Sequence, residues 1–205
     1  PAPGGGSVAA LAGALGSALA AMVGNLGAKR ASRAPDSGRR SRGDTDQRAI
    51  ELGLLAEKAQ AIKEELLGLV DEDTRAFDAV LEAMRLPKSS EAEILARMAA
   101  METATLEAAE TPLRSARACL AAMELCLRAV EIGNPSSITD GAAGCIIANA
   151  GLEGAILNVR VNLGSLPDAS RGSTFLAEAA RLEAKARDII AELRNHAGLK
   201  KLAGS

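Results

Sequence analysis

Aromatic residues are almost missing from this chain: it has two phenylalanines, no tyrosine and no tryptophan. That disfavours a sheet-based core, because strands draw on aromatic and β-branched side chains. Ala, Gly and Leu suit closely approaching helices instead. Histidine is nearly absent too. His196 is the only one, so His-based zinc sites and histidine dyads are excluded apart from this residue, itself read as a solvated last-turn side chain. Acid–base chemistry is left to carboxylates, Lys or Cys. The three cysteines, Cys119, Cys126 and Cys145, lack C-x-x-C spacing. An odd number fits a reducing compartment, so a cytoplasmic location is expected, with each thiol acting as a small buried hydrophobe. Charge of one sign is also lacking. The formal net charge is −2, which gives no overall field toward nucleic acid or an anionic membrane.

What is present begins with PAPGGGSVAALAGALGSALAAMVGNL, where no charge occurs before Lys29. Val8 to Leu26 is long enough to span a bilayer. Gly13, Gly16, Ser17, Gly24 and Asn25, weakly apolar alanines and a missing aromatic belt argue against that. A signal peptide would need a basic leading segment. A buried helix is the better reading. Its apolar stripe is Val8, Leu11, Leu15, Leu19, Met22 and Leu26. Gly13, Ser17, Ala20 and Gly24 form a second face for close backbone approach. Ser7 is a plausible N-cap, and the glycines before it let backbone N–H groups crowd a ligand.

Residues 28–48 read as a basic loop, with seven Lys/Arg against three Asp and breakers at Pro35, Gly38 and Gly43. It is either a solvated loop or a cationic flap for a polyanion. From about Arg48 a helix runs toward Pro87. Ser90 and Glu93 have capping-box spacing for the next helix. Thr111–Pro112 reads as the start of another, which Gly133 ends. NPSSITD turns into a second small-residue helix, GAAGCIIANAGLEGAILNVRVNL. A final amphipathic helix carries Phe175, Leu182, Ala186, Ile189 and Leu193. No stretch alternates like a strand. The expected fold is an all-α bundle, with residues 1–205 as one domain.

Asp73 breaks the pattern. It falls on the apolar stripe of Leu55, Ala59, Ile62, Leu66, Leu69, Ala76, Phe77, Val80 and Met84, where periodicity calls for a hydrophobe. A carboxylate in such a seam is costly unless paired, hydrogen-bonded or neutral. Either a helix N-terminus or a basic side chain satisfies it, or it is a desolvated acid/base. Asp140 is a first-turn acid or a site residue. Asn158, beside Gly151 and Gly154, bridges helices or orients a ligand. Lys88 is a solvated charge or an anion hook. The glycine run is tight packing or a ligand cradle.

PAPGGGSVAALAGALGSALAAMV, VDEDTRAFDAVLEAMRLPK and GNPSSITDGAAG…EGAILNVRVNL resemble, in order and spacing, the formimidoyltetrahydrofolate cyclodeaminase and methenyltetrahydrofolate cyclohydrolase family. The resemblance covers nearly the whole chain. It implies an all-helical dimer with a folate site near the subunit interface. It implies Asp73 and Asp140 as catalytic residues, with Asp73 the acid/base, and substrate contacts from Gly4, Gly5, Gly6, Ser7, Lys88 and Asn158. No metal, and no cofactor beyond the tetrahydrofolate substrate, is implied. A formimidoyltransferase domain or enzyme is an implied partner. Members usually have a short helix before the glycine motif, so the chain looks truncated, and Thr139 stands where serine is usual. The implied reaction is ring closure to 5,10-methenyltetrahydrofolate with loss of ammonia. Cyclohydrolase activity and a non-catalytic helical dimerisation module are the alternatives.

Overall fold

The computed structural model describes residues 4–33, 42–166 and 168–202. Among them are α1 (Gly5–Arg33), α2 (Arg42–Arg85), α3 (Glu91–Ile132), α4 (Ile138–Leu163), α5 (Ser173–Asn195) and the short α6 (Ala197–Leu202), with no strand. The expected all-α bundle is what forms. α1 to α4 run alternately up and down; α1 packs against α2 and α4, α3 packs against the same two, and α2 and α4 lie diagonally opposed. α5 covers the α3–α4 side through Ala179, Leu182, Ala186 and Leu193, while Arg117 of α3 and Arg160 of α4 reach Glu178 and Glu183 upon it.

The two faces of α1 fare differently: the small-residue face makes the close backbone approach expected of it, and the leucine stripe does not enter the core. The small face is the buried one: Ala9, Ala10, Ala14, Ser17, Ala20 and Ala21 are sealed in the core. Val8, Leu11, Leu15, Met22 and Leu26 of the leucine stripe face outward. Small side chains win the interior because they let helix backbones touch. The Ser17 hydroxyl donates to the Ala59 carbonyl at 2.7 Å, and a methyl group at Gly16 would stand 2.5 Å from the Gly144 carbonyl oxygen. α1 and the segment Pro135–Leu163 are each long and apolar enough to cross a membrane by length and composition. In the fold they pack against each other along these small faces.

Two boundaries move. The basic segment is shorter than expected, because α1 continues to Arg33 and α2 begins at Arg42. Arg48 is not part of a flap: its guanidinium donates to the carbonyls of Ile132 and Gly133 at 2.8 and 2.9 Å, closing the end of α3. Arg39 and Arg40 and the side chain of Arg42 lie outside the described residues. Nor does Pro112 start a helix. α3 runs through it unbroken, although proline removes the N–H that would bond the Ala108 carbonyl. That carbonyl instead accepts from Asn162 Nδ2 of α4 at 2.6 Å. The Ser90–Glu93 capping box forms at the start of α3, and Gly133 caps its end, as the sequence indicates. His196 caps α5 rather than ending it in solvent; it is half-buried, with Nδ1 buried and without a partner among the described residues.

Candidate active site

α2 and α3 continue past the point where α1 begins, so the first turn of α1 ends inside the bundle. The space beyond it is a cavity of about 450 Å³. Gly4, Gly5 and Gly6 form its floor, and Asp73, Thr74, Phe77, Asp78, Val80 and Leu81 of α2 form one wall. Asn158, Val161, Asn162 and Ser165 line it from α4 and the turn after it, and Thr105 and Ala108 from α3. The α4 positions recur at three and four residues, which places them on one helix face.

Asp73 stands at the floor. Ser7, itself buried, donates its hydroxyl to Asp73 Oδ2 at 2.8 Å. Ser7 is therefore a ligand of the carboxylate and not the helix cap expected of it; the first helical bond runs from Val8 N–H to the Gly4 carbonyl at 3.1 Å. Gly6 is obligatory for this contact, since a methyl group there would overlap the carboxylate, lying 2.6 Å from its Cγ. The first-turn amides of α1 have no carbonyl partner within the helix, so the positive end of its dipole meets the negative side chain. The side chain of Asn158 folds over Gly5. Its Nδ2 donates to the Gly154 carbonyl at 2.8 Å, which leaves the Oδ1 acceptor at the floor.

This cavity brings together Gly4, Gly5, Gly6, Ser7, Asp73 and Asn158, six of the eight residues singled out from the sequence. It does not gather the other two. Asp140 lies in the first turn of α4, eighteen residues before Asn158, which is roughly 27 Å along the helix axis. Lys88 is exposed in the turn between α2 and α3, beyond the end of a helix that has already run roughly 18 Å past Asp73. Among the described residues the lining holds two carboxylates, Asp73 and Asp78, and no Lys or Arg. The cysteines are elsewhere and fully buried; burial pushes the thiols of Cys119 and Cys145 up to about 12 and raises that of Cys126 as well. They act as small hydrophobes, as expected.

Residues 1–181 match the formiminotransferase-cyclodeaminase family. The chain belongs to that family. Among curated members it is similar to a methenyltetrahydrofolate cyclohydrolase of Methylorubrum extorquens, with 35% identity over 186 residues, covering 91% of this chain and 84% of that protein. It is also similar to the formimidoyltransferase-cyclodeaminase of Mus musculus, at 35% identity over 82% of this chain, of which it spans only 29%. In fold it resembles a formiminotetrahydrofolate cyclodeaminase from Thermotoga maritima, with a TM-score of 0.78 and 24% identity over 99% of this chain and 90% of the other.

For this family member, sequence reasoning missed Thr74, Asp78, Thr105, Asn162 and Ser165 as lining residues. Asn162 carried a readable signal, since it follows Asn158 by one helical turn. Thr105 carried none, because it reaches the cavity only through the way α3 crosses the bundle.

Proposed function

We propose that the cavity binds a tetrahydrofolate bearing a one-carbon unit on N5 and that the chain is a formimidoyltetrahydrofolate cyclodeaminase. The observation that carries this reading is the Asp73 carboxylate, held by Ser7 at a glycine floor in a cavity that no Lys or Arg lines among the described residues. The reaction calls for these features. N10 attacks the formimidoyl carbon of the protonated substrate, its proton passes to the departing nitrogen, and ammonia leaves a methenyl cation. Asp73 takes the proton from N10 and returns it to the amine. Its negative charge, with that of Asp78, favours the cation as it forms. Asn158 supplies an amide for the polar edge of the pterin, and no metal or further cofactor enters these steps. A glutamate tail would leave the cavity toward Lys88, which is exposed beyond the same end of the bundle.

A second reading has a specific support. The Methylorubrum extorquens cyclohydrolase matches most of its own length, so water attack on the methenyl carbon is the alternative at the same Asp73. The rim also bears on assembly. Val8, Leu11 and Leu15 of α1 and Ile146, Leu157 and Val161 of α4 are exposed on two adjacent helices, and we read this face as the seat of a second copy. Incubation with 5-formimidoyltetrahydrofolate, following ammonia and methenyl absorbance together, decides the reaction. Both products appearing supports the cyclodeaminase. Loss of added methenyltetrahydrofolate without ammonia replaces it with the cyclohydrolase, and no change in either ends the folate reading.

A further inference from the structure

Phe77 is an anomaly in a chain this poor in aromatic residues. The other phenylalanine, Phe175, packs against the core, whereas Phe77 is 55% exposed and lines the cavity. It lies one helical turn after Asp73, so the two side chains are neighbours on the same face of α2, with Cβ atoms roughly 6 Å apart. Across the cavity Val161 of α4, also more than half exposed, lines the opposing wall. α2 and α4 are diagonally opposed in the bundle, and residues of both line the cavity beyond the first turn of α1.

We propose that Phe77 is the stacking platform for the conjugated ring joined to the reacting carbon, with Val161 closing the other face of that ring. The inference rests on the folate reading and adds a binding residue to it. A ligand whose one-carbon centre sits at Asp73 brings its attached ring against the residue one turn farther along α2. A phenyl face there contributes in two ways. It offers an offset-stacked aromatic partner, and its negative quadrupole attracts the delocalised methenyl cation in a partly desolvated site. An aliphatic residue of similar volume supplies the contact area without either effect, which is why only an aromatic residue serves here.

The chain's lack of tryptophan makes the test direct, because Phe77→Trp introduces the only indole. Titration with 5-formyltetrahydrofolate, a stable analogue whose one-carbon unit is neutral, is expected to quench that indole, with affinity equal to or tighter than wild type. Phe77→Leu is expected to raise Kd by about threefold to tenfold and KM in parallel, with kcat falling less. Phe77→Tyr should restore binding. The loss in Phe77→Leu should be larger for 5,10-methenyltetrahydrofolate, with its cationic one-carbon unit, than for the 5-formyl analogue. Wild-type affinity in a folded Phe77→Leu, or indole emission unmoved while calorimetry records binding, overturns the stacking role and leaves the folate reading standing. So does a change in oligomeric state with ligand affinity unaltered, which would mean that a second copy covers Phe77. A wild-type chain that neither binds nor turns over either folate overturns both.

Discussion

The first turn of α1 and its middle are both rich in glycine, and the two stretches do opposite work. In the middle, Gly16 meets the backbone of α4: a methyl group would stand 2.5 Å from the Gly144 carbonyl and 2.8 Å from Cβ of Ala148. In the first turn, Gly6 meets only the end of a side chain, the carboxylate of Asp73. The same residue type therefore serves packing in one place and a ligand cavity in the other. What differs is whether the opposing atoms can move.

The sharpest way to break this comparison is to remove the carboxylate itself. Asp73→Asn should lower turnover by roughly two orders of magnitude or more, while melting temperature and folate affinity stay near wild type. A destabilised variant with normal turnover per folded molecule would assign Asp73 to the scaffold. Gly6→Ala comes next. Asp73 can swing away from the new methyl, so the expected result is about a tenfold or greater fall in turnover, since misplacing a catalytic group is costly, with a small change in melting temperature. Gly16→Ala should give the reverse. The backbone of α4 opposes it and cannot swing aside, so overpacking of about 1–3 kcal/mol should appear in denaturant unfolding, with turnover per folded molecule retained. The smallest effect belongs to Gly68→Ala in α2. Nothing lies within 4 Å of its Cβ position, and stability should rise by about 0.5–1 kcal/mol. Equal responses from Gly6→Ala and Gly16→Ala would erase the distinction between the two stretches.

Helix positions and Asp73 were legible because both follow from periodicity: a carboxylate on a 3.6-residue apolar stripe has few quiet explanations. The facing of α1 was legible only in part: the small-residue face was readable as one for close approach, the outward facing of the leucine stripe was not. Periodicity ranks Leu15 above Gly16 as a core residue, but the interior here is built from backbone contact, which rewards the absence of a side chain. Pro112 misled in a similar way. Its lost hydrogen bond signals a helix start when only α3 is considered, and the compensating donor, Asn162, sits fifty residues later on α4. The cavity itself arises where four helices end at different heights, a property of assembly that no local pattern encodes. Hence Phe77 reads in sequence as ordinary core, although the structure leaves it at the rim.

The bond between Asn162 and the carbonyl that Pro112 frees has a further consequence, for alignment. Faces made of Gly and Ala are nearly featureless along a helix axis, and two such rods could slide by one 5.4 Å turn while keeping most of their contact. A polar peg fitted to a vacant acceptor opposes that slippage, because any slipped arrangement strands the half-buried Asn162 amide and the Ala108 carbonyl together. The proline thus works as a fiducial mark on α3. It fixes how far α4 is drawn along the bundle, and so the height at which Asn158 stands above the glycine floor.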